Sequence, residues 1–261
     1  MKKRNLVLSV MTTCLVSCFL LSGCNGQKQI DSETVKTVKV EEQAHLQDDT
    51  VSPACKITID YSYLAESDAA DSIAQRINRT IQAHVLGKEY IRMNPEVAVD
   101  SFKNTYIDNY RKDVNEFYQE DIKNGTPKDE LPTWYNYEYG LTTHFSEGKE
   151  GILNFIAETF EYTGGGHPNS WNKWMNFEKN TGKLLALKDV FMAGSEKPMS
   201  DMLLEELITE MATRLEDSSI TSLEGLQNAG ILNSTNMYVP DNFLLEKDLS
   251  CITNTISLPM L

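Results

Sequence analysis

From Cys55 to Tyr63 the odd positions carry Cys, Ile, Ile, Tyr and Tyr, and the even positions carry Lys, Thr, Asp and Ser. A period of two predicts a strand with one buried face. The period then changes. Ala70, Ile73, Ala74, Ile77, Ile81 and Val85 recur at three and four, predicting a helix over 67–86 that Gly87 ends. Asn94-Pro95 is a helix-opening pair. Val99, Phe102, Tyr106, Tyr110, Val114 and Phe117 extend it into a long amphipathic helix to about Ile122.

The middle of the chain predicts a β-meander. Strands are expected over 134–145, 152–162, 170–178 and 183–187, and Lys179-Asn180-Thr181-Gly182 is a hairpin turn. Helical patterns return over 187–191, over 198–215 with Met202, Leu203, Ile208, Met211 and Leu215 as the apolar face, and over 221–229. Phe243 to Leu245 starts another strand. Helices and strands are segregated, so the expected class is α+β: a mainly antiparallel sheet with packed helices, in one domain or two small subdomains.

The first residues belong to a different pattern. Lys2, Lys3 and Arg4 precede an apolar run from Leu6 to Leu21, which ends in Leu21-Ser22-Gly23-Cys24. This is the layout of a lipoprotein signal peptide, with Cys24 the lipidated first residue of the mature chain. The run is shorter than the ~20 residues a spanning helix needs. Leu15-Val16-Ser17-Cys18 also fits the cleavage pattern, but would shorten the apolar region and leave Phe19-Leu20-Leu21 exposed. The expected organisation is signal peptide 1–23, a polar flexible tether 24–52, a folded domain 53–247 and a tail 248–261. The expected location is the cell envelope, in the outer membrane if the source is Gram-negative.

Charge narrows the partners. Removing the three cations of the signal peptide takes the formal charge from −14 to −17. That argues against nucleic acid and anionic lipid surfaces as ligands and permits a cationic protein. Of the five cysteines, only Cys55 and Cys251 lie outside the signal and the anchor. No CxxC or HExxH spacing is present, and no metal or cofactor is expected.

Residues 162–191 read YTGGGHPNSWNKWMNFEKNTGKLLALKDVF. Tyr162, Gly164, Gly165 and His167, then Asn176-Phe177, then Thr181-Gly182-Lys183, then Leu187, Asp189, Val190 and Phe191 resemble the signature of the PdaC/RsiV-like domain family. Ile57 to Tyr61 and Ile77-Asn78 resemble its N-terminal part. The likeness covers roughly 53–247. Members of that family form the extracellular part of a lysozyme-binding anti-sigma factor, accompany a polysaccharide deacetylase domain, or stand alone as envelope lipoproteins. The chain ends before the place of that deacetylase domain. The resemblance therefore implies a binding or sensing module, with lysozyme or a cell-wall component as ligand, and lends no catalytic residues.

The candidate binding loop is Gly164, Gly165, Gly166 and His167, with Trp171 and Trp174 beyond it. Glycines permit positive φ and close backbone approach. The same residues also suit a tight crossover between strands with His167 hydrogen-bonded locally. Trp134, Trp171 and Trp174 could stack on sugar rings, although Trp171 and Trp174 differ by three and cannot share a strand face without a bulge. His144, Asp189 and Ser170 could join His167 in a hydrolytic set acting on peptidoglycan or glycan, but no Gly-x-Ser-x-Gly elbow exists. Glu158 and Glu161 should face opposite sides of a strand, and Lys183 reads as a solvated hairpin residue.

The tail departs from the family. Read one base out of frame, codons 249–261 permit Phe-x-Tyr-x-x-Tyr-x-Ile-Ala-Pro-Tyr-Ala, the segment that the family carries at this place. A frameshift near Asp248 is expected on this ground. Cys251 would then be accidental, Cys55 would have no native partner, and the sheet would keep an open edge.

Overall fold

The computed structural model describes residues 34–47, 49–66, 72–233 and 241–247, and the backbone of 251–253. Five strands form one sheet in the order β1-β2-β3-β4-β5: β1 Val35–His45, β2 Ala54–Leu64, β3 Tyr137–Glu147, β4 Ile152–Tyr162 and β5 Asn169–Glu178. Every neighbouring pair is antiparallel except β2–β3, which run parallel with Ile57 opposite Tyr139. A parallel pair needs a crossover. Helices α1 (Ile73–Val85) and α2 (Pro95–Lys123) supply it. The α+β class expected from the patterning is the one observed.

The tether reading is corrected by β1. Residues 35–45 pair along their whole length with β2, Val40 opposite Ile59. Their polarity belongs to an edge strand. Thr37, Lys39, Glu41 and Gln43 alternate with the inward Val38, Val40 and Ala44. Charged side chains are what an exposed edge tolerates. Even the inward Glu42 is used, accepting an ion pair from Lys103 of α2 at 2.9 Å.

One face of the sheet carries the main core. Ile57, Ile59, Tyr61, Leu141, Phe155 and Phe177 pack under Ile77, Ile81 and Val99 of the two helices. Ser72 caps α1 by accepting the Gln75 amide. Residues 67–71, where that helix was expected to begin, lie outside the described residues. Buried Asn78 ties α1 to the end of β2, accepting from Leu64 N at 2.9 Å and donating to Leu64 O at 2.8 Å. On α2 the buried series is Val99, Ile107, Tyr110, Val114 and Tyr118. Phe117 leaves the core, because a step of four from Val114 falls on Tyr118. A second cluster of Leu46, Cys55, Tyr110, Val114, Tyr118 and Tyr135 closes the end of the sheet where β2 begins.

Two further expectations change. Lys183–Leu187 is not a strand: a single bridge joins Leu184 to Phe177, and a short helix, α3, spans Leu187–Val190. Asp189 turns the chain there, accepting from Ala186 N at 2.9 Å and pairing with Lys183 at 2.6 Å, so Lys183 is not simply solvated. Helix α4 spans Glu196–Arg214 and buries Leu207 and Met211 against Ile220 and Leu226 of the α5 region (Leu223–Asn228). Met202, expected inside, is exposed.

The other face of the sheet is covered over β4 and β5 by β6, Phe243–Leu245. Amide side chains hold it, rather than strand pairing with the sheet. Asn176 donates to Phe243 O and accepts from Leu245 N, each at 2.8 Å, and Asn154 donates to Leu245 O at 2.9 Å. Asn242 lies along the edge of β5, accepting from Trp174 N and donating to Asn172 O, as a peptide group of another strand would. The backbone of β7, Cys251–Thr253, pairs with β6. The rest of the tail, where a frameshift is expected, lies outside the described residues, as does Cys24.

Candidate functional site

The loop 163–168 joins β4 to β5 at the sheet end where β1 finishes and β2 and β3 begin. Gly164 has φ +83°, a conformation that side chains disfavour. It is also pressed against the segment before β3. A Cβ at this position would stand 2.3 Å from the Trp134 carbonyl oxygen. The glycine is thus required by both backbone conformation and close approach. Gly165 and Gly166 are exposed and sterically open. His167 is exposed and has no hydrogen bond among the described residues, so the expected local anchor is not there.

The loop's glycines therefore seat it on Trp134. That tryptophan contacts Phe117 edge-on, with ring centroids 5.9 Å apart and planes at 72°. Phe117 is 53% exposed and Trp134 39%. Phe117 is available for this contact because Tyr118, its neighbour, takes the buried position on α2. Beneath the pair, Tyr135 is buried and donates to Asp121 at 2.8 Å, pushing its phenol up to about 12 through burial and the adjacent carboxylate. Lys128 pairs with Asp49 at 2.8 Å and ties the turn before Trp134 to the β1–β2 connection. Asp49 also accepts from the backbone amides of Val51 and Ser52. These donors hold its carboxyl below the usual carboxylate range. The stretch of chain that carries the pair is acidic: between Asp108 and Asn136 there are seven acidic and four basic side chains.

The two expected tryptophans separate. Trp171 pairs with Thr159 on the helix-covered face and is exposed, whereas Trp174 pairs with Ile156 on the opposite face beside Phe243. Trp174, Met175, Leu184, Leu185 and Phe243 line a groove of about 420 Å³ along the β5 edge. A shallow hollow of about 410 Å³ near the loop end is lined by Gln43, Lys56, Asn136, Glu138 and Tyr162.

The sheet keeps His144 and Asp189 away from the loop, whereas Ser170, opposite Phe160 at the start of β5, stays beside it without either partner. His144 sits opposite Ile156, six residues from Tyr162 and so roughly 20 Å from the loop. Asp189 is engaged with Lys183, beyond the other end of β5. The hydrogen bonds from Lys183 and from the Ala186 amide hold its carboxyl low. Glu161 accepts from Tyr106 at 3.0 Å on the helix side, and Glu158 is exposed on the reverse face. Among the described residues no three His, Cys, Asp or Glu side chains gather closely enough to hold a metal ion. Cys55 is a buried free thiol whose pKa burial pushes up to about 12.

A crystal structure of a DUF3298 family member from Bacteroides fragilis NCTC 9343 superposes with a TM-score of 0.67 at 24% identity, over 88% of this chain and 92% of that one. The two share a fold. A DUF3298 family protein from Pseudomonas aeruginosa PAO1 gives a TM-score of 0.45 at 14% identity, over 80% of this chain and 76% of that one. No family model and no curated protein matches the chain. The solved neighbours are thus bacterial DUF3298 proteins, from a family of domains of unknown function.

Phe117 is the site residue that helical patterning misplaced. The signal was in the sequence: Phe117 and Tyr118 are adjacent, so only one can continue the stripe through Val114, and a step of four selects Tyr118.

Proposed function

We propose that this chain is a lipid-anchored envelope protein of the PdaC/RsiV-like kind. Its folded domain binds a cationic protein, of which lysozyme is the model, and carries out no chemistry of its own. The observation that carries the reading is the exposed Phe117–Trp134 pair, backed by Gly164 and carried on a stretch of chain with seven acidic and four basic side chains. Aromatic anchors ringed by charge are typical of protein-binding hot spots. Acidic surroundings favour a basic partner and speed its encounter. Anchoring follows from Cys24 and the signal-like segment before it.

Two experiments test the parts. Metabolic labelling with a palmitate analogue should mark the wild type and not Cys24→Ala; a labelled alanine variant overturns the anchor. Calorimetry of the soluble domain with lysozyme at low salt should show binding that weakens with salt. Phe117→Ala with Trp134→Ala should cost at least ~2 kcal/mol of it. No heat of binding overturns lysozyme as the partner, and hydrolysis of peptidoglycan by the domain would turn the reading towards an envelope hydrolase.

A further inference from the structure

We infer that the aromatic end of the sheet is the pole farthest from the bilayer, presented outward to a soluble macromolecule rather than to lipid. This rests on the anchor at Cys24 proposed above, and adds to it an orientation that comes from the fold.

The chain enters the sheet at a defined end. Val35 pairs with Leu64, and Thr34 O accepts from Ala65 N at 2.6 Å, so β1 starts where β2 finishes. Tyr63 donates to Glu96 at the same end, which places the first turn of α2 there. The candidate site lies at the other end. Cys55 pairs with Tyr137 near the starts of β2 and β3, and Tyr162, just before the glycine loop, pairs with Glu138. Tyr135 donates to Asp121 in the last turns of α2. A strand of eleven residues separates the two ends by roughly 35 Å. The 29-residue α2 runs the same way for roughly 43 Å, carrying Phe117 outward.

Chain length then weighs against the inverted orientation. Because β1 is part of the sheet, only residues 25–33 separate Cys24 from Thr34. Even fully extended, these steps span at most roughly 35 Å. For the aromatic end to point straight at the bilayer, the domain must invert and lift Thr34 about one strand length above it. That consumes the entire contour, so the inverted arrangement carries the entropic cost of a fully stretched tether, which the upright one avoids. A tether reaching to residue 52 would have imposed no such cost. Exposed Met93 and Val97, beside the start of α2, are on the end that faces the membrane.

Energy transfer in vesicles tests the inference on the full lipidated protein. With Cys55 and Cys251 replaced by alanine, a dye is placed at Glu150→Cys, in the β3–β4 turn of the entry end, or at Asp129→Cys, in the turn before Trp134. The bilayer carries an acceptor lipid. Transfer from position 150 should exceed transfer from position 129 several-fold. Equal transfer, or more from 129, in protein that floats with the vesicles overturns the orientation and leaves the anchor standing. Protein that fails to float overturns the anchor, and the orientation with it. Circular dichroism and melting of both variants, matched to the parent, show that the labelled positions report on the native fold.

Discussion

Gly164 and Trp134 are locked together: the Cα of one lies so close to the carbonyl of the other that a single added carbon would come within 2.3 Å of its oxygen. Gly164→Ala should therefore lose both the positive-φ conformation, worth roughly 1–2 kcal/mol, and the contact itself. The expected result is a lower melting temperature with a change in tryptophan emission. Gly166→Ala, where nothing stands within 4 Å, serves as the control and should melt like the wild type.

Asn176 is a hinge of hydrogen bonding between the sheet and β6. Asn176→Leu keeps much of the volume but strands the Phe243 carbonyl and the Leu245 amide. Each buried orphan costs about 1–3 kcal/mol, so a loss of roughly 2–6 kcal/mol is expected in denaturant titration. The Leu245 amide should also exchange with solvent much faster than in the wild type. Unchanged exchange at Leu245 would show that something else holds the strand.

Cys55 should be inert in the native protein. With its pKa near 12, the thiolate fraction at pH 8 is on the order of a thousandfold below that of an exposed cysteine. A maleimide should label this position only after denaturant is added, in the Cys251→Ala background. Rapid native labelling would place the thiol at the surface.

Alkali should unfold the protein cooperatively. Burial raises the phenols of Tyr61, Tyr106, Tyr110 and Tyr139 above their ordinary range, and those of Tyr63 and Tyr135 to about 12. The folded state thus binds these protons more tightly than the unfolded one. The stabilisation is complete below the unfolded value of about 10 and is lost as pH rises through the folded values. Absorbance at the phenolate band should rise in one steep step coincident with loss of circular dichroism. A gradual rise near pH 10 with the fold intact would contradict the buried assignments.

The sequence revealed more of the scaffold than of its surface. The alternation in β2 and the spacing of Ile77 and Ile81 were legible because one face of each element is buried against the same core. β4 runs from Ile152 to Tyr162 as its pattern predicts. β1 was hidden because an edge strand with one solvated face has the composition of a linker, and its register is set by β2 rather than by its own residues. At the site, the glycine run marked the loop, but its contact with Trp134 spans thirty residues of sequence and could not be read from spacing. Trp171 and Trp174 parted as their odd separation demanded.

The parallel seam between β2 and β3 has a consequence for how the chain reaches this structure. β1–β2 and β3–β4–β5 are each made from neighbours in sequence and can zip locally. Joining them means closing a loop of about seventy residues, with both long helices inside it. Such distant contacts are slow to form, and their closure entropy is repaid only when the helices dock. The two hairpin halves should therefore gain protection from exchange early, and the seam between Ile57 and Tyr139 should be the last part of the sheet to close.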